Sequence, residues 1–374
     1  MNQYFNPVRT FQGKGSISSL PEILKEMLPS GGRILLLAWN ESVFGLPAVK
    51  QVEASGEYRL TARCFQASNP TVEQLFQVYE ETGKDAPDAV IAIGGGSVLD
   101  VGKSLCCLYG QELHSADAVR EVISSKAFGS PVVRWIGVPT TAGTGSEVTC
   151  WATIWDPEKN VKRSVESKEN YAYAAIVDSA LTENMPIRLA VSSALDAAAH
   201  AVESYWARGT NLTSRVLALG AIRSVMAHIN DLMEGKEGAA EFMSAGSMLA
   251  GLAFSNTKTT ACHSISYPLT MRYGIPHGTA VSMLLGPVFA LNQEKTEDCG
   301  PLLEALGVKD AAELEARIQQ ILTRAGIPST LREWKAEKKD LPELACLGIT
   351  KGRADNNPVD LTPEMIRKIL EHIY

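Results

Sequence analysis

The sequence predicts an α/β domain built on a mostly parallel sheet over residues 1–183, followed by an all-helical domain over residues 184–374. The 374 residues exceed the length at which one hydrophobic core keeps growing, so two domains are expected. Up to about residue 180, short apolar runs rich in β-branched side chains alternate with helical patterns, which is typical of strand-helix-strand units. After DSALTENMP (178–186), Ala-, Leu- and Met-rich helical patterns replace them.

Three apolar segments of the first domain are predicted to be strands of this sheet. They are RILLLA (33–38), AVIAIG (89–94) and VVRWIGVP (132–139). Each is followed by turn or glycine chemistry and then by a helical pattern, of which SVLDVGKSLCCL (97–108) is the clearest.

The charge and cysteine content exclude several classes of protein. The formal net charge of −7 leaves no surplus of basic side chains for a nucleic acid or an anionic membrane. Seven cysteines, an odd number without a CxxC pair, predict reduced thiols in a cytoplasmic protein. The first sixteen residues contain no apolar signal region, and no window reaches the roughly 18 uninterrupted apolar residues of a membrane span.

A glycine-rich turn follows the second predicted strand. Gly94, Gly95, Gly96 and Ser97 lead directly into a helical pattern, and Ser97 is predicted to be the helix N-cap. Glycines allow close backbone approach, and the N–H groups of a helix start suit a pyrophosphate. A tight structural turn is the alternative, because this is neither GxGxxG nor a P-loop. A second loop, PTTAGTGSE (139–147), follows the third strand, and two such loops at one sheet edge favour a dinucleotide in a Rossmann-like domain.

Four side chains of the second domain form a candidate metal site. Asp196 and His200 are four residues apart in a helix-forming segment and therefore project from one helical face. An Asp-His pair on the surface or at a helix cap would have the same spacing. However, His263 and His277 follow in the segment ACHSISYPLTMRYGIPHG (261–278), whose glycines and prolines favour turns, and these two histidines favour a metal site. One carboxylate and three imidazoles suit Fe(II) or Zn(II). The remaining histidines receive no role: His114, His228 and His372.

Together these motifs resemble the iron-containing (group III) alcohol dehydrogenase family, nearly from end to end. The matching segments are GKGSI (13–17), GGGS (94–97) with Asp100 and Lys103, PTTAGTGSE (139–147), residues 178–186, the Asp196/His200 pair and PHG (276–278). The resemblance implies a dehydroquinate synthase-like architecture, an NAD(P)H-dependent enzyme with Fe(II) or Zn(II), and a homodimer or larger homo-oligomer. It also implies that the metal ligands are Asp196, His200, His263 and His277.

The resemblance further implies a set of residues that contact the cofactor. The pyrophosphate loop would supply Gly95, Gly96, Ser97 and Asp100; the second loop Thr140, Thr141, Thr144 and Ser146; and other positions Trp39, Asn40 and Lys162. Members that prefer NAD often carry an aspartate after the first strand, where this sequence reads LAWN (37–40). NADP(H) is therefore slightly favoured over NAD(H), although Glu41 is close by.

Two positions bear on catalysis and substrate. Tyr267 stands where many members have a proton-relaying histidine, and a tyrosine can also donate a proton. Lys258 lies in the polar run NTKTT (256–260) after Phe254, an apolar wall residue. The longer pattern NTKTTACHSISYP (256–268) resembles the phosphonoacetaldehyde reductase branch of the family. We expect Lys258 to bind an anionic tail of the aldehyde. Arg272 and Arg353 are weaker candidates for the same role.

Several activities are compatible with these residues. The main hypothesis is reduction of an aldehyde, including phosphonoacetaldehyde to 2-hydroxyethylphosphonate, with metal and nicotinamide. A dehydrogenase for small neutral alcohols or diols, of the butanol, propanediol or lactaldehyde type, or a glycerol dehydrogenase-like enzyme, is the nearest alternative. A dehydroquinate synthase-like lyase would share the architecture, and a metal-containing binding protein would not turn over.

Overall fold

The computed structural model describes residues 3–159 and 161–374, which form two compact units. The α/β unit comprises Asn6–Thr141 and Ser146–Thr182. The helical unit comprises Glu183–Tyr374, the segment Ala142–Gly145 and the described residues 3–5. Residues 1, 2 and 160, which fall in the predicted first domain, lie outside the described residues.

The α/β unit is built on one six-stranded sheet in which every strand pair is parallel. Its strands are β1 (Arg9–Gln12), β2 (Gly32–Ala38), β3 (Tyr58–Cys64), β4 (Ala89–Gly94), β5 (Arg134–Pro139) and β8 (Ala174–Val177). Their order in the sheet is β1-β8-β5-β4-β2-β3. The three predicted strands are β2, β4 and β5, and the predicted fold class is confirmed.

Both faces of the sheet are buried, which explains the continuous apolar strands. Successive side chains of a strand point to opposite faces. Leu35 and Leu37 belong to one buried hydrophobic cluster, whereas Ile34 and Leu36 belong to another. The helices of this unit are α1 (Leu20–Met27), α2 (Pro47–Ala54), α3 (Val72–Gly83), α4 (Gly96–Leu108) and α5 (Ala116–Ser125).

The strand order reverses beside β2, since β3 lies on one side of β2 and β4 on the other. The carboxyl ends of β2 and β4 therefore form a topological switch point, the usual ligand position in open parallel sheets. Trp39 follows β2 and Gly95 follows β4 at this point. A separate antiparallel hairpin, β6 (Trp151–Asp156) and β7 (Val161–Glu166), completes the unit.

The helical unit is organised around one buried helix. Its helices are α6 (Ile187–Trp206), α7 (Leu212–Met233), α8 (Ala239–Thr257), α9 (Ala261–Tyr273), α10 (His277–Asn292), α11 (Cys299–Leu306), α12 (Ala311–Arg324), α13 (Leu341–Leu347) and α14 (Pro363–His372). Helix α6 packs against α7, α8 and α10. Its small side chains Ala194, Ala197, Ala198 and Ala201 are fully buried in the core of the unit. Small residues let neighbouring helices approach closely, so polar side chains on α6 lie deep in the unit.

By length and composition alone, one helix in the described ranges, α7, could cross a membrane. A third of its most apolar window is buried, and it packs against α6 and α8. The seven cysteines are free thiols.

Candidate active site

Three of the four predicted metal ligands converge within the helical unit. Asp196 lies on α6, His263 on α9, and His277 is the first residue of α10. One ligand atom from each lies within 4.8 Å of the others. Asp196 Oδ1 and His263 Nε2 are 3.5 Å apart. Side chains from three different helices therefore point to one small volume.

A close approach of two helices places His277 beside Asp196. A Cβ atom at Gly278 would lie 2.1 Å from the Ser192 carbonyl oxygen and 2.9 Å from Asp196 Cβ. Only glycine avoids this overlap, because the atoms that a Cβ would meet belong to the backbone and first side-chain carbon of α6, which cannot move aside as a flexible side chain can. The Pro-His-Gly sequence thus starts α10 directly against α6 and brings His277 to the carboxylate.

Two atoms of this group fit a bound cation. Asp196 and His263 are 4% and 2% exposed, and neither Asp196 Oδ1 nor His263 Nε2 has a hydrogen-bond partner among the described residues. A buried polar atom without a partner costs free energy, and a divalent metal between the two would remove that cost. One carboxylate oxygen with imidazole nitrogens suits Fe(II) or Zn(II), whereas Mg²⁺ and Ca²⁺ prefer more oxygens.

The structure places His200 beside the three-residue group and not within it. Its Nδ1 is 3.9 Å from Asp196 Oδ2 and donates to the Gly143 carbonyl at 3.3 Å. The ring stacks on both Phe254 and His263, with centroid separations of 4.3 Å in each case. Burial lowers the pKa of His200 to about 4, so its imidazole is neutral. With the proton on Nδ1, Nε2 keeps its lone pair.

Glu203 is a site residue that the sequence reasoning missed. It is fully buried on α6, and its Oε2 accepts a hydrogen bond from His263 Nδ1. Its Oε1 accepts from Thr260 Oγ1 at 2.8 Å and from the Cys262 backbone N–H at 2.6 Å. Carboxylates in this position fix the tautomer and the ring orientation of a metal-binding histidine. A proton held on Nδ1 leaves Nε2 as the ring nitrogen of His263 that can bind a metal.

Electrostatics in this cluster favour a charged carboxylate pair around His263. Burial alone would raise the pKa of both Asp196 and Glu203, but the neighbouring histidines lower both values below the ordinary range. Burial lowers the pKa of His263, yet the two carboxylates outweigh it and raise that pKa to about 10. Without a metal, His263 is therefore an imidazolium with a proton on Nε2 as well, and a cation bound there would replace that proton.

Two aromatic residues border the same cluster. Tyr267, 6% exposed, stacks on His277 with centroids 5.9 Å apart. Phe254, on the last turn of α8, stacks on His200. The half-buried Lys258 follows this helix, and its backbone N–H donates to the Phe254 carbonyl at 2.8 Å. The end of α8 therefore lies against the histidines.

The helix α4 begins two residues earlier than the predicted N-cap, Ser97, implies. Gly95 is the N-cap and Gly96 the first helical residue, with no side-chain cap hydrogen bond. The prediction that Ser97 caps the helix was wrong, because Ser97 lies inside the first turn, where its Oγ accepts from the Asn69 backbone N–H at 3.2 Å. Gly95 and Gly96 remain partly exposed at the helix start.

Asp100 and Ser146 join the two loops of the α/β unit. Asp100 Oδ1 accepts from Ser146 Oγ at 2.6 Å, and Oδ2 accepts from the Thr153 backbone N–H at 2.8 Å. The fully buried Lys103 donates to the Ser146 carbonyl, Ser146 Oγ and the Trp151 carbonyl at 2.8, 2.9 and 2.8 Å. The Asp100 and Ser146 side chains are thus used inside the protein, and Lys103 organises the second loop.

The other predicted cofactor residues are distributed over both units. Thr140 donates its backbone N–H to the Gly94 carbonyl at 2.9 Å, and the Thr141 methyl group packs beside Gly95. Thr144 lies in the segment Ala142–Gly145, which belongs to the helical unit. The next residue, Gly145, packs so closely on α8 that a Cβ atom there would lie 2.4 Å from Gly251 Cα.

The remaining three predicted cofactor residues lie in the α/β unit. Trp39 is 44% exposed after β2, and the Asn40 side chain accepts from the Ser42 backbone N–H and hydroxyl. Lys162 lies on β7, where its charge acts on the Asp100 carboxyl.

Comparisons with known proteins cover nearly the whole chain. Residues 7–179 match the family described as iron-containing alcohol dehydrogenase, and residues 190–374 match the C-terminal part of the Fe-containing alcohol dehydrogenase family. The 1,3-propanediol dehydrogenase of Klebsiella pneumoniae is 31% identical over 96% of this chain and 95% of its own length. The sulfoacetaldehyde reductase of Bilophila wadsworthia is 29% identical over 87% of this chain and 86% of its own length.

A solved structure shows the same likeness in three dimensions. The sulfoacetaldehyde reductase from Bifidobacterium kashiwanohense, in complex with NAD+, has a TM-score of 0.86 and 26% sequence identity. The superposition covers 100% of this chain and 98% of that one.

Proposed function

Since this chain belongs to the iron-containing alcohol dehydrogenase family, we propose that it reduces aldehydes with NAD(P)H at a metal site formed by Asp196, His263 and His277. The observation that carries the site assignment is the convergence of one ligand atom each from Asp196, His263 and His277 within 4.8 Å, where Asp196 Oδ1 and His263 Nε2 are buried without a hydrogen bond. His200, with its free Nε2 lone pair, is the proposed fourth ligand after a small ring movement. The predictions of family, enzyme class and cofactor class, a metal and NAD(P), are confirmed by the family membership and the relatives.

Each protein group has a defined task in this reaction. When bound, the metal supplies a Lewis acid for the carbonyl oxygen, and the nicotinamide supplies hydride. Glu203 holds the proton of His263 on Nδ1 and so keeps Nε2 available. Phe254 and Tyr267, 5% and 6% exposed, exclude water from the histidine cluster. The Tyr267 hydroxyl is the proposed donor of the proton that the product alcohol gains.

The proposed substrate is a small aldehyde with an anionic tail, such as phosphonoacetaldehyde, which would give 2-hydroxyethylphosphonate. Lys258 supports this proposal because it is a cation at the end of α8, whose last turn contacts the histidine cluster. An ammonium group binds phosphonate or sulfonate oxygens through charge-assisted hydrogen bonds. The relative from Bilophila wadsworthia is a reductase of a sulfonated aldehyde.

Reduction of neutral aldehydes is the second candidate. Relatives with similar coverage include a lactaldehyde reductase from Escherichia coli (strain K12) and a butanol dehydrogenase from Clostridium saccharobutylicum. In such an enzyme Lys258 would have no effect on substrate choice.

The remaining proposals concern organisation. Residues 1–183 would bind the nucleotide through the two loops, and residues 184–374 would bind metal and substrate. No carboxylate occupies residues 37–40, which favours NADP(H), because a carboxylate there would repel the 2′-phosphate. We place the enzyme in the cytoplasm as a homodimer or larger homo-oligomer.

The test is NADPH and NADH oxidation by protein reconstituted with Fe(II) or Zn(II), with phosphonoacetaldehyde and propanal compared. Lys258→Met is measured beside Lys335→Met, since Lys335 has the same unusual positive φ in the same unit but is exposed. Loss of one charged hydrogen bond, about 1.5 kcal/mol or more, should raise the KM of the Lys258 variant for phosphonoacetaldehyde about tenfold. Its KM for propanal should stay within about twofold of wild type.

Three results would count against this proposal. Equal effects of Lys258→Met on both aldehydes would remove the anionic substrate and leave the neutral-aldehyde activity. A similar effect of Lys335→Met would show that the charge acts non-specifically. No turnover of any aldehyde, with metal bound, would overturn the reductase assignment.

A further inference from the structure

Lys258 has a backbone conformation that residues with a side chain rarely adopt. Its φ is 63° and its ψ is 177°, a combination that is essentially reserved for glycine. Such a conformation persists only where the surrounding contacts hold it, and it occurs most often at ligand-binding and catalytic positions. Contacts from other parts of the chain must therefore hold Lys258 in this conformation.

One side chain, Asn356, bonds the carbonyls of both residues next to Lys258, Thr257 and Thr259. Asn356 Nδ2 donates to the Thr257 carbonyl at 2.7 Å and to the Thr259 carbonyl at 3.1 Å. Its Oδ1 accepts from the Gly209 backbone N–H at 3.3 Å. The NH2 group of Asn356 therefore bonds the turn that contains Lys258, and its carbonyl oxygen bonds the chain segment that follows α6.

The same turn is also tied to the helix that carries Asp196. Thr257 Oγ1 and Ser204 Oγ are 3.0 Å apart, and Thr260 Oγ1 donates to Glu203 Oε1 at 2.8 Å. Both Ser204 and Glu203 lie on α6. The Thr257 hydroxyl also donates to the Lys258 carbonyl at 3.0 Å. Among the described residues, Asn356 is the side chain from outside the turn that bonds the Thr257 and Thr259 carbonyls.

We infer that Asn356 is a specificity-determining positioning residue for anionic aldehydes. By holding the Thr257 and Thr259 carbonyls it keeps the Lys258 backbone in its strained conformation and thereby sets the direction in which the lysine side chain leaves the turn. Without the two donors the turn relaxes to an ordinary conformation and the ammonium group moves. This inference rests on the proposed role of Lys258 in binding the substrate anion.

The test compares Asn356→Ala with Asp355→Ala, an exposed neighbour in the same loop, and with the double variant Lys258→Met/Asn356→Ala. The readouts are KM and kcat for phosphonoacetaldehyde and propanal, and calorimetric binding of methylphosphonate to the metal-loaded protein. Asn356→Ala should raise KM for phosphonoacetaldehyde and weaken methylphosphonate binding about tenfold, the effect of about 1.4 kcal/mol. The propanal constants and all constants of Asp355→Ala should stay within about twofold of wild type.

The double variant separates positioning from general support of the fold. If Asn356 acts through Lys258, adding Asn356→Ala to Lys258→Met causes no further loss with phosphonoacetaldehyde. Additive losses, or equal losses with both aldehydes, overturn the inference. Asn356→Ser, which keeps a small donor, is measured in parallel, so that poor folding of the alanine variant does not prevent a decision.

The outcomes also distinguish this inference from the proposal beneath it. If Lys258→Met binds methylphosphonate as wild type does, the anion site is absent and both ideas fail. If Lys258→Met loses the binding and neither Asn356 variant does, the substrate proposal stands and only the role of Asn356 is overturned.

Discussion

Replacing Glu203 by glutamine tests how this protein prepares His263 for a metal. The side chain is fully buried, and its Oε2 accepts from His263 Nδ1. Its Oε1 accepts from the Thr260 hydroxyl and the Cys262 backbone N–H. All three neighbours donate hydrogen bonds to the carboxylate. The NH2 group of a glutamine would therefore meet a donor in either orientation of the amide. If it faces His263, the imidazole proton moves to Nε2 and blocks the ligand atom.

The size of the effect follows from the strength of the lost bond. A hydrogen bond to a charged group contributes about 1.5–3 kcal/mol, and burial of both partners removes the usual screening by solvent. This corresponds to a metal dissociation constant that is about 10- to 100-fold higher, the range observed for outer-shell partners of metal-binding histidines.

The assay is competition for Zn(II) between the protein and a chelator of known affinity, monitored with wild type, Glu203→Gln and Glu147→Gln. Glu147 is equally buried but lies in the α/β unit, so its variant should bind Zn(II) like wild type. Melting temperatures of the metal-free proteins control for unfolding. Wild-type affinity in a folded Glu203→Gln protein would refute the orienting role of this carboxylate.

Three further variants test other features. Gly278→Ala forces a methyl group against the Ser192 carbonyl. The unfolding free energy should therefore fall by about 1–3 kcal/mol, and the affinity for Zn(II) should also fall. Unchanged Zn(II) affinity in the chelator assay would contradict the close approach of α10 to α6. Burial raises the pKa of Glu147 to about 7, so the native state binds a proton that the unfolded chain releases near pH 4.5. Stability therefore falls by about 3 kcal/mol as the pH rises from 4.5 to 7, and denaturant unfolding of Glu147→Gln should lack this slope; parallel curves would argue against it. Lys258→Gly removes the backbone strain that Lys258→Ala retains, so urea unfolding should find it about 1–3 kcal/mol more stable than the alanine variant, and a less stable glycine variant would argue against the strain.

Local patterns in the sequence were sufficient to predict the sheet and three residues that the structure brings together in the candidate metal site. The strands β2, β4 and β5 are visible because both of their faces are buried, which leaves uninterrupted apolar runs. The Pro-His-Gly sequence at residues 276–278 indicates a constrained helix start. Asp196 and His200 are visible through their helical spacing, although the structure places only Asp196 within the three-residue group.

Contacts between distant segments were beyond the reach of the sequence patterns. From the sequence alone Glu203 resembles a surface glutamate, because nothing local shows that most of α6 is buried. One signal was available: Glu203 lies seven residues after Asp196 and three after His200, which places all three on one helical face. Asn356 contacts residues 97 and 99 positions away, which no local pattern reveals. The segment Ala142–Gly145 belongs to the helical unit because Gly145 packs on Gly251, a contact across about a hundred residues of chain.

The most direct test of the central claim is a titration of activity with metal. Protein stripped by a chelator is supplied with increasing Fe(II) or Zn(II) under anaerobic conditions, and NADPH oxidation is followed with a saturating aldehyde. We expect no turnover in the stripped protein, a linear rise to one metal per chain, and no recovery in a variant that carries both Asp196→Ala and His263→Ala. Full turnover in the stripped protein, or full recovery in that variant, would contradict a metal-dependent reaction at this site.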